Sequence, residues 1–192
     1  MIKFNKSSSP VDFTNIEFGI RIKHAQYYSL INDSLTVGSF YFDRKQSAMN
    51  LEDSRIFILL KESNFREEYE IWNLNNGALV GALSIEGKTV RKSLKATTGI
   101  IHQDPYEWKV LCKSAGTSSF SGRVWSKFSG RLDNGREEAA FIWDYEGNDV
   151  RDPGKLYLPV SGEVKMTNPR NHILLAAGLF LIEMEFQPSD ND

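Results

Sequence analysis

Apolar and polar positions alternate along most of this chain. Over residues 18–23, 68–72 and 106–112, aromatic or aliphatic side chains recur at every second position between charged or polar neighbours. That period of two is the signature of strands with one buried face. Residues 35–42, 55–61, 78–85, 120–128, 138–143 and 156–165 add further β-rich runs, with 55–61 predicted as a central strand. Together they predict roughly ten to twelve strands at the spacing of a barrel or sandwich. Asn76-Gly77 lies between two runs and supplies the positive φ of a hairpin turn. Asp144–Gly147 reads as a second turn and residues 118–122 as a loop. Residues 1–15 are polar and read as a flexible start.

The pattern breaks once. From Ile173 to Ile182 every residue is apolar or glycine, rich in Leu and Ala and free of Val and Thr. This composition favours a helix. Asn168 and Pro169 suit a cap and a first turn, and Pro188 follows the end. A helix over about 169–186 is predicted. An all-round apolar helix needs burial on every side, which makes Leu174, Leu175, Leu179, Phe180 and Ile182 core candidates. A bilayer span needs about 20 apolar residues; this run is shorter and meets Glu183 and Glu185, so no transmembrane span is expected. Many antiparallel strands followed by one helix that must be surrounded predict a mainly β fold. Its form is a closed antiparallel barrel around a C-terminal hydrophobic helix. No linker composition interrupts the chain, so residues 16–187 are expected to form one domain, followed by a 188–192 tail.

Four stretches carry a family resemblance. These are residues 69–81 with their Asn-Asn-Gly turn, the strand 108–110, residues 141–147, and the terminal run 174–186. Together the chain resembles the tubby C-terminal-like superfamily, which includes tubby proteins, phospholipid scramblases and LURP-one-related proteins. The resemblance implies a barrel filled by its last helix and, from tubby-like relatives, phosphoinositide binding through basic surface residues. It is structural and supplies no residue-by-residue ligand set. A lipocalin- or START-like barrel or grip, with an open cavity for a small apolar ligand, is the alternative.

Charge changes the picture more than composition does. The 192 residues hold 23 Lys and Arg against 25 Asp and Glu, for a net of −2. That balance argues against a general nucleic-acid binder. Yet residues 88–136 contain ten basic and three acidic residues, a net of +7, which leaves −9 elsewhere. Lys88, Arg91, Lys92 and Lys95 are the tightest basic group. On an extended chain Lys88 and Lys92 share one face, and Arg91 and Lys95 the other; a loop could converge all four on an anionic headgroup.

Candidate chemistry is sparse. His24, His102 and His172 lack metal-type spacing, and a single cysteine, Cys112, permits no intramolecular disulfide. Gly87-Lys-Thr89 mimics a P-loop ending, but Ala82 stands where its first glycine belongs. The acidic run from Asp144 places Gly147 and Lys155 at the wrong positions for an EF-hand. No catalytic residue, metal site or cofactor is expected. The N-terminus has no apolar signal segment, so a cytoplasmic, membrane-peripheral location is expected. The leading functional expectation is a non-enzymatic barrel binding anionic lipid at Lys88, Arg91, Lys92 and Lys95. A protein-interaction module, with Trp72, Trp108, Trp125 and Trp143 as candidate contacts, and a small-ligand barrel stand beside it.

Overall fold

The fold is taken from a computed structural model that describes residues 1–7, 9–61, 67–86, 95–100, 105–120, 123–133, 138–148, 160–168 and 170–186. Among the described residues thirteen strands precede one helix. They are β1 (Ile2–Lys6), β2 (Val11–Asn15), β3 (Ile20–Asn32), β4 (Leu35–Phe42), β5 (Gln46–Leu51), β6 (Arg55–Lys61) and β7 (Glu67–Asn73). Then come β8 (Ala78–Glu86), β9 (Lys95–Ile100), β10 (Tyr106–Phe120), β11 (Arg123–Asp133), β12 (Ala139–Asn148), β13 (Val160–Met166) and α1 (His172–Phe186). Neighbours from β3 to β13 pair antiparallel in sequence order. β1 pairs with both β13 and β3, for example Phe4 with Gly162 and with Leu30, and so closes the ring. Twelve strands thus form the barrel wall, and β2 lies outside the ring.

Alternation explains the interior. Ile56 and Ile58 of β6, Tyr69 and Ile71 of β7, Phe141 and Trp143 of β12 and Phe4 of β1 all join one buried cluster with α1. Residues 174–184 of α1 are all buried, and Leu175, Leu179, Phe180 and Ile182 are fully so. Phe180 meets Phe42 and Tyr69 at ring-centroid distances of 5.2 and 4.7 Å. The helix therefore occupies the interior, as its uniformly apolar surface requires. Two glycines allow this closeness: a Cβ at Gly178 would overlap the Phe141 ring, and one at Gly162 would overlap Phe4. Trp108 and Trp143 are core residues, with Trp108 Nε1 donating to the buried Thr98 Oγ1 at 2.7 Å.

Residues 1–15 correct the expectation of a flexible start, since they contain β1 and β2. Each strand turns a single aromatic residue, Phe4 or Phe13, into apolar surroundings, which leaves the sequence looking polar. β3 bends at His24, whose φ is +53°. The His24 N–H donates to Asp12 Oδ1 at 2.8 Å across an irregularity between Val11 and Phe13. Only from Gln26 onward does β3 pair with β4. The hairpin before the bend packs Phe13, Ile20, Ile22 and Ala25 with Ala48, Phe57 and Leu74 in a second apolar cluster. Ala48 and Phe57 alternate with inward-facing Met49, Ile56 and Ile58, so this hairpin covers the outside of the barrel.

Three other expectations shift. α1 begins at His172, and its cap is Asn171, whose Oδ1 accepts the Leu174 N–H at 3.3 Å; Asn168 instead accepts from the Arg170 N–H at 3.0 Å. Residues 144–147 are not a turn, because β12 runs through them with Gly147 opposite Ser126. Residues 118–120 belong to β10 rather than a loop. At Asn76-Gly77 the turn spans residues 74–77, and only Gly77 takes a positive φ.

Candidate functional site

Strand pairing places the basic residues of β9, β10 and β11. In β11 Arg131 is exposed and Leu132 buried; in β10 Glu107 is exposed and Trp108 buried. Pairing of β10 with both β9 and β11 brings Lys109 and Lys113 of β10 beside the basic residues of its neighbours. In this register Lys109 lies opposite Lys95 and Asp133, and Lys113 opposite Ser129. Six basic residues, Lys95, Lys109, Lys113, Arg123, Lys127 and Arg131, thus lie on three adjacent strands. Acidic residues of this region are Glu107 on β10, Asp133 opposite Lys109, and Glu86 of β8 opposite Lys95. On β12, Asp144 and Glu146 border it, Glu146 opposite Lys127.

Neighbouring strands lie about 5 Å apart, and same-face residues along a strand about 7 Å. Both spacings are below the Debye length of about 8 Å at physiological salt, so the charges act as one field. Of the four residues singled out from sequence, Lys95 begins β9, opposite Lys109 and Glu86. Lys88, Arg91 and Lys92 lie outside the described residues.

A second polar site, which sequence reasoning missed, sits inside the barrel. Glu183 of α1 is 1% exposed, and its Oε1 lies 2.7 Å from Lys6 Nζ of β1, itself buried. The Tyr28 hydroxyl of β3 donates to the same oxygen. Oε2 is buried without a hydrogen-bond partner among the described residues. The one sequence signal was Glu183 within an apolar run. Its partners could not be read, because Tyr28 is 155 positions away. This arrangement ties the closing strand β1 to the central helix.

Burial, then the Glu183 charge and its hydrogen bond, raise the Tyr28 pKa well above the ordinary tyrosine value. Burial and then Glu67 raise Tyr69 as well. Both hydroxyls keep their protons in the folded state at pH values where an unfolded tyrosine loses its own. Their contribution is fully present below about pH 10 and is lost as pH rises toward the raised values. Stability should therefore fall above about pH 10, and Tyr28→Phe should make that fall shallower. Thermal unfolding midpoints of both proteins across the alkaline range check this; identical slopes would contradict it.

Among the described residues no group of His, Cys, Asp or Glu is placed to hold a metal ion. No helix there is long and apolar enough to cross a membrane. Comparison with known proteins finds no matching family model, no matching curated protein and no matching solved structure.

Proposed function

We propose that this barrel is a non-enzymatic, tubby-like module that docks peripherally on anionic lipid headgroups. Contact is through the outer face of β9–β11 and the adjoining basic residues Lys88, Arg91 and Lys92. The carrying observation is the register that gathers six basic positions on three neighbouring strands. Each basic residue near an anionic surface contributes about 1 kcal/mol. With Lys88, Arg91 and Lys92 included, nine basic residues stand against Glu86, Glu107, Asp133, Asp144 and Glu146, a net of four that supplies about 4 kcal/mol, roughly a thousandfold enrichment at the membrane. The sequence resemblance to tubby-like proteins supports the same reading. The interior that a lipocalin-like ligand would need is occupied by α1, which disfavours the small-ligand alternative. A cytoplasmic, membrane-peripheral location follows from this reading.

Reversing Lys109, Lys113 and Lys127 to Glu should lower co-sedimentation with phosphatidylserine-containing vesicles at least about tenfold, given the loss of about 1 kcal/mol per charge. Reversing Lys88, Arg91, Lys92 and Lys95 tests the adjoining segment. Unchanged vesicle binding by both variants would overturn the assignment.

A further inference from the structure

The turns of an antiparallel meander alternate between the two ends of the barrel. Residues 33–34, 52–54 and 74–77 lie at the end where α1 begins, and the paired strand ends Glu86 and Lys95 lie at the other. The α1 end carries a cleft of about 630 Å³. Its apolar wall is Ile2, Val37, Leu51, Val164 and Met166, and its rim includes Glu52, Asp53 and His172. Four of those five apolar residues are only partly buried against the core, so they present apolar surface at the mouth. A shallower cleft of about 240 Å³ adjoins it through the shared Glu52 and reaches Glu17 on the outer hairpin.

Exposed apolar residues stand beside the clefts' lining residues in the chain. Ile16 is 91% exposed and Phe18 38%, on either side of Glu17; Leu35, two positions before Val37, is 71% exposed. A small ligand in the cleft would leave these three uncovered, whereas an extended macromolecular segment would cover them. The charge is anionic on balance: Glu17, Asp33, Glu52 and Asp53 stand against Arg55, Lys165 and the Met1 ammonium, which donates to Asn32 Oδ1 at 3.3 Å. Arg55 lies 3.5 Å from Glu17, and His172 3.8 Å from Asp53. Lys165, also at the rim, lies 3.8 Å from Glu163. Glu52 and Asp33 have no ion-pair partner among the described residues.

We infer that the α1 end of the barrel is a docking site for a protein partner's segment that combines Lys or Arg with aliphatic or aromatic residues. The apolar side chains anchor in the cleft and the cations meet Glu52 and Asp53, the usual division between a buried anchor and a charged rim. An anionic membrane is repelled by the same carboxylates. The barrel then presents two surfaces of opposite charge, and the site stands independently of the lipid reading.

Panning a random-peptide display library on the full chain tests this. Enriched peptides should pair basic with apolar residues. They should bind wild type at least about tenfold, or 1.4 kcal/mol, more tightly than Glu52→Lys/Asp53→Lys or Leu35→Ser/Val37→Ser. Unchanged unfolding midpoints in both variants show that the fold is intact. Leu35→Ser alone, at an exposed position, serves if the double variant unfolds. Enrichment of acidic peptides, no enrichment, or binding indifferent to these substitutions would overturn the inference. So would loss of anionic-vesicle binding in Leu35→Ser/Val37→Ser, which would assign this end to the membrane. Reversal of Lys109, Lys113 and Lys127 should leave peptide binding unchanged, which separates this site from the basic face.

Discussion

Lys6→Met should destabilise the protein by about 3–5 kcal/mol, the cost of stranding one member of a buried ion pair. The methionine fills the lysine's space, so little of this loss is a cavity. It comes from Glu183, 1% exposed, losing the ammonium 2.7 Å from its Oε1. The Tyr28 hydroxyl still donates to Oε1, but Oε2 has no partner among the described residues, so the carboxylate keeps one neutral hydrogen bond and no counter-charge. Removing the whole polar group behaves differently. In Lys6→Met/Tyr28→Phe/Glu183→Leu no buried charge remains, and the triple variant should recover most of the loss or exceed wild type. Denaturant unfolding of the two variants checks both statements. A single variant within about 0.5 kcal/mol of wild type, the range of ordinary surface changes, would show that the pair contributes nothing to holding β1 on α1.

Gly178→Leu has the second large effect. A leucine favours helix over glycine by nearly 1 kcal/mol, so an exposed helix would gain. Here even a Cβ overlaps the Phe141 ring, and residues 174–184 are buried all round. Overpacking a closed interior costs about 3 kcal/mol at the upper end of its usual range, so the clash outweighs the propensity. Phe141→Ala alone should cost about 3–5 kcal/mol through the cavity it leaves. In Gly178→Leu/Phe141→Ala the leucine enters that space, and the combined loss should fall below the sum by 1 kcal/mol or more, as expected of touching residues. Strict additivity in unfolding experiments would place Gly178 away from Phe141.

The barrel wall was legible where strands are half-buried. β7 and the start of β10 alternate because one face meets α1 and the other is more open to solvent, whereas β6 is apolar through its middle because Phe57 on its outer face meets the β2–β3 hairpin. α1 was legible because a helix enclosed by strands needs apolar residues throughout. β1 and β2 were not legible, since each turns only one aromatic residue into an apolar cluster. The later parts of β10 and β12 were also missed: residues 114–119 are small and polar, and Asp144–Gly147 has turn chemistry, yet both are held by ladders to β11. The outward bend at His24 depends on a positive φ outside glycine, which propensity disfavours. The basic face was half legible. The charge excess was readable from the chain, but only the register of β9–β11 aligned Lys109 with Lys95 and set Leu111 opposite Arg131.

Vesicle co-sedimentation of the unmodified protein at two salt concentrations tests the proposed lipid docking most directly. Phosphatidylserine-containing vesicles should retain the protein at about 0.1 M salt, where the Debye length is about 10 Å. They should release it near 1 M, where that length falls to about 3 Å, and neutral phosphatidylcholine vesicles should not retain it at either. Absent binding, equal binding to neutral vesicles, or retention unaffected by salt would contradict an electrostatic lipid surface on β9–β11.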